Sequence, residues 1–484
     1  MIAEVLALDL HGSSESRHPL ALCFHSSLIC RMYAAHHHGV HASRRWTRYN
    51  PRGTLSSAQA IPPSFPLGRS IRTLQVSDLK HDAAQYQSSA SISECTHVGS
   101  FNWLDATEPT IVVPGMPAQW QPLKKPRRLQ PDGGQYFRDR NAARFPQHPL
   151  EPAVLAALNL DSQLNIDEGI DVVLCASTFG NLARFARGGD KAFRMLVEEV
   201  GGTVFFTRRE NSPKELIPDV MGYGHTFPEA YTNWNREVKS SASHQRLIKY
   251  RFGGLTILLR YEADGFLPDK VTTGGIAAPV VPGADPYCLV QGVNEVHVSS
   301  LEPANNQTLK IKYAGSVVGE EAIFDLKTRS ARKADDDILG GELPRLWVTQ
   351  VPNFVVAFHK SGLFDDIRIL DARGRISTWE KDNAEGLAAL AVLMRVIMKQ
   401  VKDRSDGKIE LCHSTPGKLE IREQLPDAGH ALSSAVESAW TARGLERKVK
   451  KREVAVAAVQ WDEDEDEGDL TACSEACGYC GRCT

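Results

Sequence analysis

The stretch Leu255-Thr256-Ile257-Leu258-Leu259-Arg260-Tyr261-Glu262-Ala263-Asp264 decides the fold class. Leu255–Tyr261 reads as a strand, with Ile257, Leu259 and Tyr261 on one face. Glu262 and Asp264 are two residues apart and so share the other face. A second strand, Ala322–Leu326, repeats the arrangement: Phe324 and Leu326 face one way, Asp325 and Lys327 the other. Set side by side, the two strands would put three carboxylates and one ammonium around one point. Incompletely satisfied oxygen donors of this kind suit a hard divalent cation that keeps some of its waters. Such an ion lowers the pKa of a bound water and stabilises a displaced phosphate oxygen. The lysine would orient the water or neutralise charge in the transition state. Spacing alone supports equally two surface strands with ordinary salt bridges. The acid-x-lysine pattern also occurs at Asp78–Lys80, Glu237–Lys239, Asp406–Lys408 and Glu446–Lys448, but not within a compact apolar strand that follows another acidic one.

Outward from these strands, residues 171–440 read as one mixed α/β domain. Short apolar strands are expected at Asp171–Leu174, Val204–Phe206, Phe354–Phe358 and Ile367–Leu370. A helix over Asn181–Arg187 ends at Gly188 and Gly189. The strongest helix signal starts at Asp382, with Glu385 three residues on as a capping box. Leu387, Leu390, Met394, Ile397 and Val401 follow at helical spacing and read as core, and Asp406-Gly407 ends the helix before a strand at Lys408–Cys412. Residues 97–170 read as an ordered N-terminal extension, with a basic, proline-punctuated loop at Lys124, Lys125, Arg127 and Arg128.

The ends differ in texture. Residues 1–96 read as a poorly ordered tail: no Asp or Glu occurs from Arg17 to Ser77, and His36, His37, His38 and His41 cluster. An acid-poor start with Arg and Ser also matches an organelle transit peptide. Residues 441–484 read as a charged linker and a cysteine tail. The linker carries a basic run over 443–453 and an acidic run over 462–467. The tail carries Cys473, Cys477, Cys480 and Cys483, a spacing that suits zinc first and an iron–sulfur cluster second.

The chain has 484 residues and a net charge of −3, which rules out a strongly basic nucleic-acid coat but not a basic groove. No apolar run is long enough for a membrane helix. Scattered thiols without an export signal point to a reducing compartment, the cytoplasm or nucleus. Neither a phosphate-binding Gly-x4-Gly-Lys-Ser/Thr loop nor a Gly-x-Ser-x-Gly elbow occurs. One further motif stands out, Gly222-Tyr223-Gly224-His225-Thr226-Phe227-Pro228-Glu229-Ala230-Tyr231. It reads as a turn that opens a helix with an inward carboxylate, or as a rigid aromatic loop.

In this order the motifs resemble those of the DXO/Rai-like decapping exoribonucleases, a branch of the PD-(D/E)XK nuclease superfamily. The likeness runs from about Asp171 to Trp379. It is carried by Gly222, Tyr223, Glu229, Ala230 and Tyr231, by Glu262-Ala263-Asp264, by Asp325-Leu326-Lys327-Thr328, and by Trp347, Gln350, Val351, Pro352 and Asn353. The resemblance implies a PD-(D/E)XK-like core, a mixed central sheet flanked by helices. It implies magnesium or manganese at Glu229, Glu262, Asp264 and Asp325, with Lys327 catalytic and Gln350 orienting the water in hydrolysis at RNA 5′ ends. Three departures stand beside it. Cys175-Ala176-Ser177-Thr178 lacks the arginine of the family's Trp-Arg-Gly, the loop before Glu229 is longer, and Asp325 replaces a glutamate. Arg208, Arg209 and Arg246 are candidates for the missing positive charge at the substrate.

The expected activity is metal-dependent phosphodiester or pyrophosphate hydrolysis at an RNA 5′ end. The alternative is an inactive nuclease-fold module that binds RNA or a nuclease partner, with the charged tails as protein-binding parts. A third possibility comes from a resemblance to fungal proteins labelled geranylgeranyl pyrophosphate synthetase, over Glu210–Pro213 and Gly222–Trp234. The Asp-Asp-x-x-Asp boxes of prenyl synthases are missing: Asp335-Asp336-Asp337 and Asp365-Asp366 lack the third aspartate at that spacing.

Overall fold

Alternation along the strands sorts side chains onto two faces, and on the central strands both faces are buried. On the strand at Leu255–Ala263, Ile257, Leu259 and Tyr261 join one buried cluster and Leu258 joins another. A strand buried on both faces lies inside a layered α/β fold. The computed structural model describes residues 64–160, 169–218, 220–272, 276–277 and 309–442.

The strands are β1 (Ser70–Gln75), β2 (Ser93–Leu104), β3 (Thr110–Gly115), β4 (Gln119–Trp120), β5 (Val172–Cys175), β6 (Phe193–Val200), β7 (Thr203–Arg208), β8 (Thr232–Asn233), β9 (Ser241–Phe252), β10 (Leu255–Ala263), β11 (Gly265–Phe266), β12 (Ile276–Ala277), β13 (Lys310–Gly315), β14 (Val317–Val318), β15 (Ile323–Ser330), β16 (Asn353–Lys360), β17 (Leu363–Asp371), β18 (Lys408–Thr415) and β19 (Lys418–Arg422). The helices are α1 (Val76–His81), α2 (Arg140–Arg144), α3 (Glu151–Asn159), α4 (Ala176–Ala186), α5 (Thr226–Tyr231), α6 (Ile338–Thr349), α7 (Arg373–Asp382) and α8 (Ala384–Lys402), with a further helical segment over 434–442.

The first sheet has 11 strands in the order β1-β19-β18-β6-β7-β5-β10-β9-β2-β3-β13. At its centre β5 runs parallel to both β7 and β10. The second sheet has 6 strands, β17-β16-β15-β11-β4-β8, and β12 pairs with β14 in a short ribbon. One face of the first sheet packs on α4, α6 and α8. Its other face packs on α3 and on Val436 and Trp440 of the last helical segment. The outer face of the second sheet is an aromatic cluster that includes Trp120, Phe227, Tyr231, Phe324 and Phe364. A mixed α/β architecture with a large mixed sheet flanked by helices is the expected class, and it leaves no place for an all-helical prenyl synthase.

The Leu387, Leu390, Met394, Ile397 and Val401 stripe is buried as its spacing predicts. The β9–β10 turn presses on this helix. Gly253 has φ +58, and a Cβ there would lie 2.7 Å from the Ala391 Cβ. The start of the helix differs from expectation. Asp382 is the last residue of α7, Asn383 is the N-cap of α8 with no side-chain cap bond, and α8 already ends at Lys402. The order also begins before residue 96, because β1 pairs with β19 and so closes one edge of the main sheet. Residues 97–170 are not an appendage either, since they supply most of β2 and all of β3 to the same sheet. Residues 1–63, the expected tail, and 443–484, with the charged runs and the four clustered cysteines, lie outside the described residues.

Candidate active site

The two acidic strands do not lie side by side in one sheet. β10 belongs to the first sheet and β15 to the second, and the chain crosses between them at Asp264. Beyond it β11 pairs antiparallel with β15, Gly265 opposite Phe324. Continued by one residue, that register sets Asp264 across from Asp325. The Leu326 amide donates to Asp264 Oδ2 at 2.6 Å and pins the carboxylate there. Asp325 is 5% exposed. Burial first, and the neighbouring Asp325 carboxylate second, push Asp264 up to about 7.

Helix α6 supplies the counter-charge. Arg345 grips Asp325 with both terminal nitrogens, Nη1 on Oδ2 and Nη2 on Oδ1. The same guanidinium also reaches Glu342, through Nε at 3.1 Å and Nη2 at 3.0 Å. Lys327, two residues beyond Asp325 on the same strand face, points its ammonium at Glu342 Oε2, 3.8 Å away. Burial works against the Arg345 charge, but the carboxylates of Asp325, Asp264 and Glu342 hold its pKa above the ordinary range.

Beside the junction opens a cleft of about 310 Å³ at the C-terminal ends of β5, β7 and β10. Ligands commonly bind at this end of parallel strands. Arg138, Arg140, Arg208 and Arg260 line the cleft, with Glu262 and Gln245. Arg140 Nη1 donates to Glu262 Oε1 at 2.9 Å, and Gln245 Nε2 donates to Oε2 at 3.2 Å. Tyr136 and His225 stack at 3.5 Å with their planes 3° apart. Burial, then Arg140, lowers the His225 pKa and keeps the ring neutral. Helix α4 begins in this cleft at Cys175, Ala176 and Ser177, without a side-chain cap on its amides. Asp132 holds the loop before α5 by accepting from the Thr226 amide at 2.9 Å and its hydroxyl at 3.0 Å.

The residues singled out in the sequence fall into three groups. Asp264, Asp325 and Lys327 gather at the sheet junction, with Glu262 on the adjoining wall of the cleft. Glu229 is exposed on α5, one turn beyond His225. Gln350 is the left-handed C-cap of α6, φ 55, and its amide turns back to donate to the Trp347 carbonyl at 2.5 Å. Of the three arginines, Arg208 lines the cleft and pairs with Glu210. Arg209 lies against the Phe65 ring, 4.4 Å from its centre, in a neighbouring pocket. Arg246 is a correction: it is 0% exposed, and its guanidinium is committed to Glu320 and to the Val318 carbonyl. It stands on the β9 face opposite Gln245 and so points away from the cleft. Missed altogether were Arg138, Arg140, Tyr136, Arg260, Glu342 and Arg345. The Glu342–Arg345 pair at helical i,i+3 spacing was the one local signal available.

These residues fit a hard divalent cation in donor type and charge, because two carboxylates oppose one another and a third stands nearby. They are not gathered for it. Among the described residues no three ligating side chains draw around one point. Arg345 sits on Asp325, and Arg140 sits on Glu262.

Fold and site together define a mixed α/β protein with an acidic centre where two sheets meet, next to an arginine-lined cleft. Residues 71–420 match the family described as Domain of unknown function (DUF8563), and the chain belongs to that family. No curated protein matches the sequence. Among solved structures the chain is similar to Scheffersomyces stipitis Rai1 in complex with (3′-NADP)+ and calcium ion, at 12% identity and TM-score 0.49, over 78% of this chain and 100% of that one. It is also similar to Candida albicans Rai1 in complex with pU5-Mn2+, at 9% identity and TM-score 0.45, over 79% and 100% of the two chains. A third is K. lactis Dxo1 in complex with manganese, at 9% identity and TM-score 0.41, over 75% and 96%. No helix among the described residues is long and apolar enough to cross a membrane.

Proposed function

We propose that this chain is a metal-dependent hydrolase of RNA 5′ ends. The observation that carries the proposal is the placement of Asp264 opposite Asp325 at the sheet junction, with Lys327 on the same strand and the arginine-lined cleft alongside. Asp264 and Asp325 would hold magnesium or manganese, with Glu262 at the margin. Bound there, the ion supplies a Lewis acid and an acidified water. Arg138, Arg140 and Arg208 attract and orient the phosphates, and the uncapped amides of α4 favour the same anion. The Tyr136–His225 stack offers a flat face to a base at the end of the strand. Lys327 places positive charge where negative charge builds on the phosphate oxygens. Glu229 and Gln350 have no place in this scheme at their observed positions.

A catalytically inactive module that binds RNA or a nuclease partner is the second possibility, and one observation favours it: Arg345 already neutralises Asp325. The deciding experiment gives purified protein manganese with 5′-triphosphate, 5′-monophosphate or capped RNA. Product from at least one of them, reduced about a hundred-fold or more in both Asp264→Ala and Lys327→Ala, is expected. RNA binding without product, and without heat of manganese binding, would leave the inactive module standing.

A further inference from the structure

A divalent ion at the sheet junction needs oxygen atoms that another side chain already holds. Asp325 is 5% exposed, and both of its oxygens accept from Arg345. A bidentate guanidinium on a carboxylate is a strong, geometrically specific contact. It occupies the same lone pairs that a hard cation would coordinate. Asp264 keeps one backbone donor, the Leu326 amide, and is otherwise compensated only through space by Arg345. One guanidinium therefore serves as counter-ion to the pair.

Arg345 also has a second seat. Glu342, one turn back on α6, accepts from Arg345 Nε and Nη2 at 3.1 and 3.0 Å. Released from Asp325, the guanidinium stays paired on its own helix and no charge is stranded. Lys327 and Arg329 share the same Glu342 carboxylate, at 3.8 and 3.2 Å, so three cations converge on one anion. That crowding raises the cost of moving Arg345 fully onto Glu342, and it favours the Asp325 seat when no other cation is present.

We infer that Arg345 is a built-in competitor for the metal: its guanidinium fills the cation position between Asp264 and Asp325, and the site loads only when Arg345 shifts from Asp325 to Glu342. The inference rests on the metal-site reading above but adds a positioning residue that sets the affinity. Metal and Arg345 then exclude one another at Asp325, and the coupling is reciprocal. Arg345 acts through Asp325 and does not touch substrate.

The test is manganese binding by calorimetry and by the loss of the free-ion signal in electron paramagnetic resonance, without RNA. Full-length protein is compared with Arg345→Gln, Arg345→Lys and the double variant Arg345→Gln/Asp264→Asn. Manganese should bind Arg345→Gln about ten-fold or more tighter than the unsubstituted chain. The double variant should lose that gain. Arg345→Lys keeps the charge but not the two-pronged grip, and its affinity should fall between. Arg345→Gln leaves two buried carboxylates uncompensated, so melting is followed with and without manganese. The ion should raise the melting temperature of the variant by more than that of the parent. Equal affinity in the parent and Arg345→Gln would overturn the competition and leave the metal site intact. Absence of binding in both, with the parent and Arg345→Lys folded, would overturn the competition and the metal-dependent reading together.

Discussion

At the scale of a single residue, Asp264 shows how a site stores unfavourable charge. Its carboxyl is pushed up to about 7 in the folded protein, against 3.8 for the ordinary group. Between those values the folded state holds a proton that the unfolded chain has released. This group's contribution to stability is therefore greatest below about pH 4 and falls as pH rises toward 7, on the order of 1.4 kcal/mol per pH unit. Asp264→Asn keeps an acceptor for the Leu326 amide and removes the titration. The variant should melt higher than the parent at pH 8, with the difference shrinking steadily as pH falls toward 4. A melting difference that stays constant across that range would show that the carboxyl is not raised in the folded protein. The pairs Glu262/Asp264 and Asp325/Lys327 were legible in the sequence because a strand repeats every two residues, so a shared face can be read from spacing alone. Arg345 and Arg140 were not, because their partners lie 20 and 122 residues away and only the tertiary fold brings them together.

At the scale of an element, α6 is the part that delivers Arg345 and Glu342. Its position is set at its N-terminus, where Asp337 accepts from the Gly340 amide at 2.9 Å and pairs with Arg375 of α7. Arg375 and the Gly340 amide together hold the Asp337 carboxyl down at about 2. A depressed carboxyl contributes above its unfolded pKa, and the contribution disappears as pH falls through about 2. Asp337 is exposed, so the pair with Arg375 is screened and the cap carries most of the effect. Asp337→Ala should cost about 1 kcal/mol in urea unfolding, and Asp337→Asn less. An equal loss in both would show that the ion pair outweighs the cap. The run Asp335-Asp336-Asp337, without the third aspartate of a prenyl-synthase box, is in fact a helix start. The boundary between α7 and α8 was misread for a related reason. Of α7 only Ile376 is buried, so the helix has almost no apolar period to announce it. An acidic residue followed three positions later by Glu385 then looked like a cap, although Asp382 closes the preceding helix. The α8 stripe itself was plain because most of its positions are in the core.

At the scale of the whole molecule, the site exists because the chain passes from one sheet to the other at Asp264. Asp264 belongs to the link between them, and Gly265 lies so close to the Ala118 carbonyl and the Phe324 ring that a Cβ would come within 2.6 Å of each. A second tie lies on the first sheet. Arg246, buried in β9, reaches Glu320 just before β15 through Nε at 2.9 Å and Nη2 at 2.5 Å, and Tyr261 of β10 donates to the same carboxylate at 3.0 Å. This explains why Arg246, an attractive substrate residue in the sequence, is a structural one. A guanidinium that anchors the strand bearing Asp325 has no freedom left to meet a ligand. Breaking a buried pair from one side strands the other charge, at about 3–5 kcal/mol. Glu320→Gln should therefore lower the melting temperature and also weaken manganese binding, although Glu320 touches neither Asp264 nor Asp325 through a hydrogen bond. Arg208→Ala serves as the contrast, because it removes a cleft charge and no clamp. It should leave melting and manganese affinity unchanged while weakening RNA binding and flattening its salt dependence. If Glu320→Gln lowered stability but left manganese affinity at the parent value, the tie through Glu320 would not be what sets the placement of the two aspartates.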